Sequence, residues 1–255
     1  MSTRLSQELR SFQDIWQSGY FEGDPLNPIA RSSYGDLGFM STLHATYLCC
    51  IKPYVNQDTV ALEIGPGRGA WTKTLLPARE IYALDALSAE HNDFYEYVGR
   101  HEHVKYFQVS DFKCEMLPDN YFNYMFSFGC LCHVSFEGIE AYATYLFPKL
   151  KSGSHCFWMV SDYEKYNHAV SEFADLSVRN VIFRRPKKSF LKGWFINQRR
   201  PRRIPEDLDN NPRPGRWYHA GIDRTCRMLE SIGYAIVDPD VGTCHRDPIL
   251  HFTKP

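Results

Sequence analysis

Short apolar runs alternate with amphipathic segments along most of the chain. Runs with the length and composition of strands occur at residues 60–64, 81–84, 104–109, 121–128, 154–160, 234–237 and 249–253. Segments that suit helices separate most of them, at residues 88–98, 138–150 and 223–232. Strands that alternate with helices predict an α/β domain built on a mostly parallel sheet with helices on both faces.

The last two predicted strands are an exception to this alternation. They are joined by the turn-rich segment DPDVGTCHRDP, which has no helical pattern. A connection without a helix predicts an antiparallel pair. We therefore expect a seven-stranded sheet in which the last strand is reversed.

The part of the chain before these strands is predicted to be helical at both ends. Residues 4–18 carry an apolar stripe at helical spacing, formed by Leu5, Leu9, Phe12, Ile15 and Trp16. Residues 19–40 are rich in glycine and proline and are predicted to be loop. A second helix is predicted from Ser41, as its N-cap, to about Cys50. We interpret residues 1–55 as an N-terminal helical cap.

The remaining chain divides into a core and an insert. The core is predicted to comprise residues 56–162 and 221–255. Residues 163–220, between the fifth strand and the last helix, are longer than an ordinary connection, and such length usually has a functional reason. We interpret them as a lid that forms a substrate site.

The sequence TVALEIGPGRGAWTKT, residues 59–74, joins the first core strand to a helix predicted from about Arg68. Three glycines stand at alternate positions of this turn, Gly65, Gly67 and Gly69. Their missing Cβ atoms allow a tight turn and let a ligand approach the backbone N–H groups. Glu63, at the end of the strand, is predicted to point its carboxylate into the same crevice.

Two cofactor classes use a turn of this kind. Gly65, Gly67 and Ala70 fit the G-x-G-x-x-A fingerprint of dinucleotides, in which a pyrophosphate occupies a helix N-terminus. A carboxylate at Glu63 works against a pyrophosphate, whereas it suits the ammonium and the sulfonium of S-adenosylmethionine. A nicotinamide oxidoreductase, a cofactor-binding protein without activity and a turn that binds nothing remain alternatives at this point.

A titratable residue follows each of five successive predicted strands. These residues are Glu63, Asp85, Asp111, His133 and Asp162. Ligands of parallel sheets bind beyond the carboxyl ends of the strands, so we expect the five side chains to face one site. Asp85 is suited to accept hydrogen bonds from both ribose hydroxyls of either cofactor class.

The glycine motif with its preceding acid, together with Asp85, resembles that of class I S-adenosylmethionine-dependent methyltransferases, and the resemblance extends over residues 42–255. It implies a Rossmann-like sheet of seven strands, with S-adenosylmethionine as the cofactor and S-adenosylhomocysteine as its product. The implied cofactor contacts are Glu63, Gly65, Gly67, Asp85, Ala86, Ser110, Asp111, Phe112, Phe128 and Gly129. Trp71 is a further candidate neighbour of the cofactor.

Methyl transfer to a hydroxyl requires alignment of donor and acceptor and the removal of one proton. His133, after the fourth strand, is the first candidate for the general base because imidazole titrates near neutral pH. A structural histidine bonded to a backbone carbonyl is the alternative. Asp162 and His219 are further catalytic candidates. Acceptor contacts are expected from Tyr163, Trp217 and Tyr218.

Charge is distributed unevenly along the chain. The whole sequence has 29 basic and 30 acidic residues, but residues 179–203 contain ten of the basic ones and no acidic one. Basic and aromatic side chains together can bind a saccharide or a charged small molecule, RNA, or a membrane surface, and they can also form an oligomer interface. Weak similarity to bacterial saccharide O-methyltransferases favours a hydroxyl on a saccharide or another polar small molecule, with RNA methylation as the alternative.

Several classes of protein are disfavoured by what the sequence lacks. The start, MSTRLSQELR, has no apolar segment, and no later run approaches the ~18 apolar residues of a membrane span, so a cytoplasmic location is expected. The eight cysteines lack the spacing of common zinc sites and are expected to be reduced. No spacing requires Mg²⁺, although some sugar-modifying relatives use a divalent ion. The motifs of amino-group and cytosine-C5 nucleobase methylation are also missing.

Overall fold

The computed structural model describes residues 3–16, 23–32, 35–171 and 217–255. Its strands, in chain order, are β1 (Ile29–Ser32), β2 (Gly35–Met40), β3 (Val60–Ile64), β4 (Glu80–Asp85), β5 (Val104–Gln108), β6 (Phe122–Ser127), β7 (Leu150–Met159), β8 (Ala235–Asp238) and β9 (Ile249–Thr253). Its helices are α1 (Thr3–Ile15), α2 (Thr42–Thr46), α3 (Thr72–Leu75), α4 (Phe94–Val98), α5 (Phe136–Leu146), α6 (residues 163–171) and α7 (Ile222–Ile232). A π-helical turn (Tyr47–Ile51) follows α2, and two 3-10 turns (Leu131–His133 and Phe147–Lys149) flank α5.

Seven of these strands form one sheet in the order β5-β4-β3-β6-β7-β9-β8. β3 pairs in parallel with β4 and β6, while β4 pairs in parallel with β5 and β6 with β7. β9 lies between β7 and β8 and runs antiparallel to both. The predicted Rossmann-like α/β sheet with a reversed last strand is confirmed.

The central strand β3 is covered on both faces, and all of its residues are buried. Val60, Leu62 and Ile64 pack into a core formed with α1, α5 and α7. Ala61, between them in sequence, packs on the opposite face with α3 and α4. Successive side chains of a strand point to opposite faces, so a strand covered on both sides is apolar almost throughout. Glu63 is the exception in this strand.

Two helices around the glycine turn are shorter than predicted. The helix expected from about Arg68 begins only at Thr72, because residues 67–71 form consecutive turns. The helix expected over residues 88–98 is reduced to α4 and the turns before it. Its N-cap residue Asp93 has a left-handed backbone with φ of 51°, which interrupts the helix.

The loop predicted for residues 19–40 contains a hairpin in its described part. β1 pairs with β2 in an antiparallel ladder, with Ile29 opposite Met40 and Ser32 opposite Gly35. The loop prediction is wrong for these two strands. Glycine and proline mark turns, but they do not exclude a short backbone ladder between the turns.

Most of the predicted lid lies outside the described residues. This applies to residues 172–216, and therefore to the whole basic segment 179–203. Only α6 and residues 217–220 belong to its described part. The division into cap, core and lid stays a prediction. Within the described ranges, no helix combines the length and the apolar composition that a membrane span requires.

Candidate functional site

A cavity opens beyond the carboxyl ends of β3, β4 and β6, at the edge of the sheet where ligands of parallel α/β folds bind. Its volume of about 130 Å³ is roughly ten times the ~10–15 Å³ that one ordered water needs. The walls are Leu9, Phe12, Trp16, Ile64, Gly65, Pro66, Gly67, Arg68, Ala70, Trp71, Leu84, Asp85, Ala86, Leu87, Asn92, Phe128, Gly129, Cys130, His133, Val134 and Tyr142. The cavity is therefore large enough for several waters and mostly apolar, with a few polar groups.

The glycine turn uses its three glycines for two different purposes. A Cβ on Gly65 would lie 2.3 Å from the side chain of Cys130, and one on Gly69 would lie 2.1 Å from Val98. These two positions need glycine because neighbouring side chains pack against them. Gly67 has a left-handed φ of +53°, and nothing lies within 4 Å of the Cβ position. Gly67 is therefore the place where the turn leaves room for a ligand.

Backbone N–H groups bind the carboxylate of Asp85, one of them in the glycine turn. Asp85 Oδ2 accepts a hydrogen bond from Gly67 N at 3.1 Å, and its Oδ1 accepts one from Leu87 N at 2.9 Å. Burial raises the pKa of the Asp85 carboxyl, and these backbone bonds oppose the rise. A carboxylate oxygen has two lone pairs. The side chain of Asn92 and the backbone of Ala86 also lower the pKa of this carboxyl through hydrogen bonding. A ligand hydroxyl at Asp85 would therefore share its oxygens with these protein donors.

Glu63 lies beneath the turn and is not part of the cavity wall. It is only 2% exposed, and its Oε2 accepts a hydrogen bond from Thr72 Oγ1 at 2.6 Å. Burial raises the pKa of this carboxyl to about 8, although the bond from Thr72 lowers it. Glu63 is therefore mostly protonated at neutral pH. Its predicted contact with the cofactor stays a prediction.

Helix α1 covers the cavity with the apolar stripe predicted from the sequence. Leu9, Phe12 and Trp16 all line the wall. Glu8 attaches the helix to the start of α5, because its two carboxylate oxygens accept hydrogen bonds from Ser135 N and Ser135 Oγ, both at 2.6 Å. The stripe indicated that α1 packs on something. The pairing with Ser135, which is 127 residues away, leaves no signal in the sequence.

His133 lies at the cavity wall in the 3-10 turn that follows β6. Its ring meets the ring of Trp16 edge-on, with centroids 4.8 Å apart and an angle of 69° between the planes. The structure thus brings His133 and the glycine turn together, as predicted. His133 thus touches the residue that directly follows α1, which the sequence did not indicate.

The other predicted cofactor residues fall into two groups. Ala86, Phe128 and Gly129 line the cavity together with Gly65, Gly67 and Asp85. Ser110, Asp111 and Phe112 are not part of its wall. Asp111 Oδ1 accepts a hydrogen bond from Lys113 N at 2.8 Å. The ring of Phe112 is fully buried edge-on to Tyr142, with centroids 4.7 Å apart. The adenine role of this second group stays a prediction.

The predicted catalytic and acceptor residues beyond β7 form a separate group, which we call the β7 cluster. It consists of Asp162, Tyr163, Trp217, Tyr218 and His219. His219 Nδ1 accepts from Tyr163 N at 3.1 Å, and Tyr163 OH donates to Trp217 O at 2.5 Å. Tyr218 N donates to Cys132 O at 2.9 Å, which attaches the cluster to the residue before His133.

Asp162 has a structural role within the β7 cluster. It is 6% exposed, and its two oxygens each accept a backbone N–H at the start of a helix. Oδ1 accepts from Lys165 N in α6 at 2.9 Å, and Oδ2 accepts from Ile222 N in α7 at 2.9 Å. These are capping bonds. Its predicted catalytic role remains untested.

Two polar residues of the cavity wall were not predicted. Arg68 stands inside the glycine motif, and its position there was the available signal. Asn92 lies in the turns before α4 and donates through Nδ2 to Tyr106 OH at 2.9 Å. Its position depends on the interrupted helix, which the sequence pattern did not show. Among the described residues, no group of three His, Cys, Asp or Glu side chains could hold a metal ion.

Comparison with known sequences gives no relationship for this chain. No protein-family model matches it, and no curated protein matches it.

Comparison with solved structures does give matches. An S-adenosylmethionine-dependent methyltransferase from Mesorhizobium loti matches with a TM-score of 0.57 and 15% identity, over 84% of this chain and 98% of that one. A candidate S-adenosylmethionine-dependent methyltransferase from Listeria monocytogenes matches with a TM-score of 0.55 and 15% identity, over the same shares of the two chains. The N-methyltransferase NodS from Bradyrhizobium japonicum, in complex with S-adenosylhomocysteine, matches with a TM-score of 0.51 and 11% identity, over 83% of this chain and 85% of that one. These similarities show that the chain shares the fold of these proteins.

Proposed function

We propose that this protein is an S-adenosylmethionine-dependent methyltransferase. The proposal depends on one observation. The cavity at the carboxyl end of the sheet is bounded by an open glycine turn, by the acid Asp85 and by His133. The proteins of the same fold named above are described as methyltransferases, one of them with S-adenosylhomocysteine bound, which supports the proposal.

A dinucleotide fits this cavity less well. The main reason lies in the glycine turn and the helix that follows it. The pyrophosphate of a dinucleotide binds at the N-terminus of this helix. Here α3 has only four residues and begins at Thr72, and the N–H of Gly67 already donates to Asp85. The turn is thus poorly suited to hold two phosphates.

The cavity wall leaves room for S-adenosylmethionine at the glycine turn. The space at the missing Cβ of Gly67 lets a ligand approach the turn closely.

Each residue of the wall has a definite part in the proposed reaction. Asp85 would accept the ribose hydroxyls, while Phe128 and Gly129 bound the same space. When it is bound, S-adenosylmethionine supplies an electrophilic methyl group. The protein mainly aligns donor and acceptor and excludes water, which the apolar residues of α1 help to do.

For the acceptor, we propose O-methylation of a hydroxyl on a saccharide or another polar small molecule. His133 would remove the hydroxyl proton as a general base. Its position at the cavity wall supports this role. Trp217, the partly exposed ring of the β7 cluster, would contact the acceptor, since aromatic faces stack on sugar rings.

Binding and transfer assays test the proposal separately. We expect S-adenosylhomocysteine to bind and NADH not to bind in isothermal titration calorimetry. The His133→Gln variant should keep its affinity for S-adenosylhomocysteine and lose methyl transfer by about 100-fold or more, within the ~10²–10⁴ that general-base catalysis contributes. Labelled methyl transfer to glycosides, amines and RNA, with and without EDTA, would identify the acceptor. Binding of NADH alone would overturn the proposal, and transfer to RNA or an amine alone would overturn the hydroxyl assignment.

A further inference from the structure

Asn92 is a buried polar residue of the cavity wall, next to Asp85. It lies in the turns before α4, and only 6% of the residue is exposed. Its Nδ2 donates to Tyr106 OH at 2.9 Å, and Tyr106 OH donates to Leu87 O at 2.8 Å. Leu87 N in turn donates to Asp85 Oδ1 at 2.9 Å. Asn92 therefore belongs to a series of hydrogen bonds that ends at the acid of the cavity.

The hydroxyl of Tyr106 fixes the orientation of the Asn92 amide. A tyrosine hydroxyl has one hydrogen, and Leu87 O accepts it. The contact with Tyr106 therefore requires a donor on Asn92, which is its NH2 group. This group has two hydrogens, so one is left for a second acceptor. A hydrogen bond from the same side chain lowers the pKa of the Asp85 carboxyl, and Asp85 is thus the second acceptor.

The backbone after Asn92 interrupts the helical pattern. Asn92 N donates to Ser88 O at 3.1 Å, four residues back, as in an α-helix. Phe94 N reaches five residues back instead, to Ala89 O at 2.9 Å. Between them Asp93 has a left-handed backbone with φ of 51° and ψ of 30°. Residues other than glycine adopt this conformation infrequently, and strained backbone of this kind is concentrated at ligand sites. The interruption thus occurs directly beside the wall residue Asn92.

Asp85 depends on neutral donors for its ionised form. Burial raises the pKa of its carboxyl. Titratable groups that interact with it electrostatically are Glu63 beneath the turn, Tyr106 of β5 and Tyr142 of α5, and none of these contributes a positive charge. Among the described residues, no lysine or arginine forms an ion pair with Asp85. Backbone N–H groups and the amide of Asn92 are therefore what favours the carboxylate over the carboxylic acid.

We propose that Asn92 is a positioning residue for cofactor binding, whose amide keeps the carboxylate of Asp85 ionised and oriented to accept from the ribose hydroxyls. The inference rests on the proposed function, in which Asp85 accepts these hydroxyls. The other donors described for Asp85 are backbone N–H groups, which a substitution leaves in place. Asn92 thus sets the lower limit of the pH range in which the cofactor binds.

Calorimetry with S-adenosylhomocysteine at two pH values tests this role. Asn92→Leu keeps the approximate volume of the side chain and removes the donor. Relative to the unaltered protein, we expect it to bind about 10-fold more weakly at about pH 5.5 and less than about 3-fold more weakly at about pH 8. Without the amide, Asp85 takes up its proton at a higher pH, and the ionised fraction of a carboxyl falls about tenfold for each pH unit below its pKa. Comparison with the unaltered protein at the same pH removes the contribution of Glu63, whose pKa is about 8.

Asn123→Leu is the matched control. Asn123 also uses both ends of its amide, since it accepts from Val60 N at 2.7 Å and donates to Asp58 O at 3.2 Å. It lies near the start of β6, at the opposite end of this strand from the cavity. Its loss should lower the stability of the protein and leave the affinity for S-adenosylhomocysteine unchanged at both pH values. Asn92→Ser, which also lacks the amide, should show the same pH trend as Asn92→Leu and provides the comparison should Asn92→Leu fail to fold.

The outcomes distinguish the two proposals. If the unaltered protein does not bind S-adenosylhomocysteine at either pH, the proposed function fails and the positioning role fails with it. If it binds, and the Asn92 variants weaken binding equally at both pH values, more strongly at the higher one, or not at all, the methyltransferase proposal stands and the positioning role is overturned. A loss that is larger at the lower pH, with Asn123→Leu unaffected, supports the positioning role.

Discussion

Two regions at the carboxyl end of the sheet have similar residue types but differ in whether their polar groups have hydrogen-bond partners. The cavity wall and the β7 cluster both contain acids, a histidine and several aromatic rings. At the cavity wall, the donors of Arg68 and Trp71 have no acceptor among the described residues. In the β7 cluster, both oxygens of Asp162 are occupied by backbone N–H groups, and Trp217 Nε1 donates to Asp247 Oδ1 at 2.9 Å.

The difference shows that similar side chains can have different structural roles. A buried polar group without a partner lowers the stability of the folded chain, so native structures contain few of them. Such groups occur in residues of the cavity wall and also in and just after β7, at Ser154, Trp158 and Ser161. The β7 cluster uses the same side chains to join α6, α7 and the segment before α7 to the sheet.

The largest effect should come from packing at the glycine turn. In Gly65→Ala, the new methyl group would lie 2.3 Å from the side chain of Cys130, at a backbone φ of +71°. We expect a loss of several kcal/mol in the free energy of unfolding, and S-adenosylhomocysteine should bind about 100-fold more weakly or not at all. Urea denaturation and calorimetry measure the two effects.

Gly153→Ala is the matched control for this substitution. Gly153 has a similar φ of +76°, but nothing lies within 4 Å of its Cβ position, and it lies in β7 outside the cavity wall. Its cost should be limited to the backbone strain of ~1–2 kcal/mol. Equal stability of the two variants would show that the contact with Cys130 is not what requires glycine at position 65.

The second effect concerns the buried acid beneath the cavity. The pKa of Glu63 rises from 4.5 to about 8 on folding. Between these values the folded state binds a proton that the unfolded state lacks, so the contribution of Glu63 to stability is lost as the pH rises through about 8. The free energy of unfolding of Glu63→Gln, relative to that of the unaltered protein, should therefore increase as the pH rises. The increase should be up to ~1.4 kcal/mol per pH unit between pH 5 and pH 8. Urea denaturation at several pH values measures the difference.

Glu115→Gln serves as the control, because the side chain of Glu115 is largely exposed. The difference between Glu115→Gln and the unaltered protein gives the background for the comparison. A difference for Glu63→Gln that is constant over this range would mean that Glu63 is ionised in the folded state.

The smallest expected effect comes from substitutions at Asp162 in the β7 cluster. They distinguish a structural role of this residue from a catalytic one. Asp162→Ala removes two capping bonds and should cost ~1–3 kcal/mol in the free energy of unfolding, at ~1 kcal/mol or more per cap. Asp162→Asn keeps one acceptor oxygen and replaces the other by an NH2 group that cannot accept, so it should lose about half as much stability as Asp162→Ala. If the role is structural, this variant also retains methyl transfer in the labelled-methyl assay. Loss of transfer in a stable Asp162→Asn protein would instead support the catalytic role predicted from the sequence.

The sequence predicted the sheet well because the pattern that indicates each strand lies within a few neighbouring residues. Each core strand is a short apolar run, and the reversed final pair followed from a connection without a helix. The left-handed φ of Asp93 shortens a predicted helix, and no sequence pattern distinguished that residue from an ordinary helical aspartate. The hairpin β1–β2 was missed because a backbone ladder does not require an apolar run.

The sequence predicted where the site lies better than it predicted which contacts its side chains make. Asp85, His133 and the open Gly67 follow from strand ends and glycine spacing. Whether a side chain is bound or unbound depends on partners far away in sequence, and Asp162 and Arg68 illustrate the two outcomes. The contact of Glu8 with Ser135 belongs to the same class, since it joins α1 to a residue 127 positions away in the chain.

The segment that leaves β7 and the segment that returns to α7 meet at one place. Tyr163 and Tyr166 of α6 hold Trp217 through a hydrogen bond and ring contacts with centroids 5.1 Å apart, and Ser161 O accepts from both Ala220 N and Gly221 N at 3.0 Å. The two ends of the segment between these points are therefore bound to each other next to the end of β7. We therefore expect substitutions in residues 172–216 to leave the contacts at this junction in place.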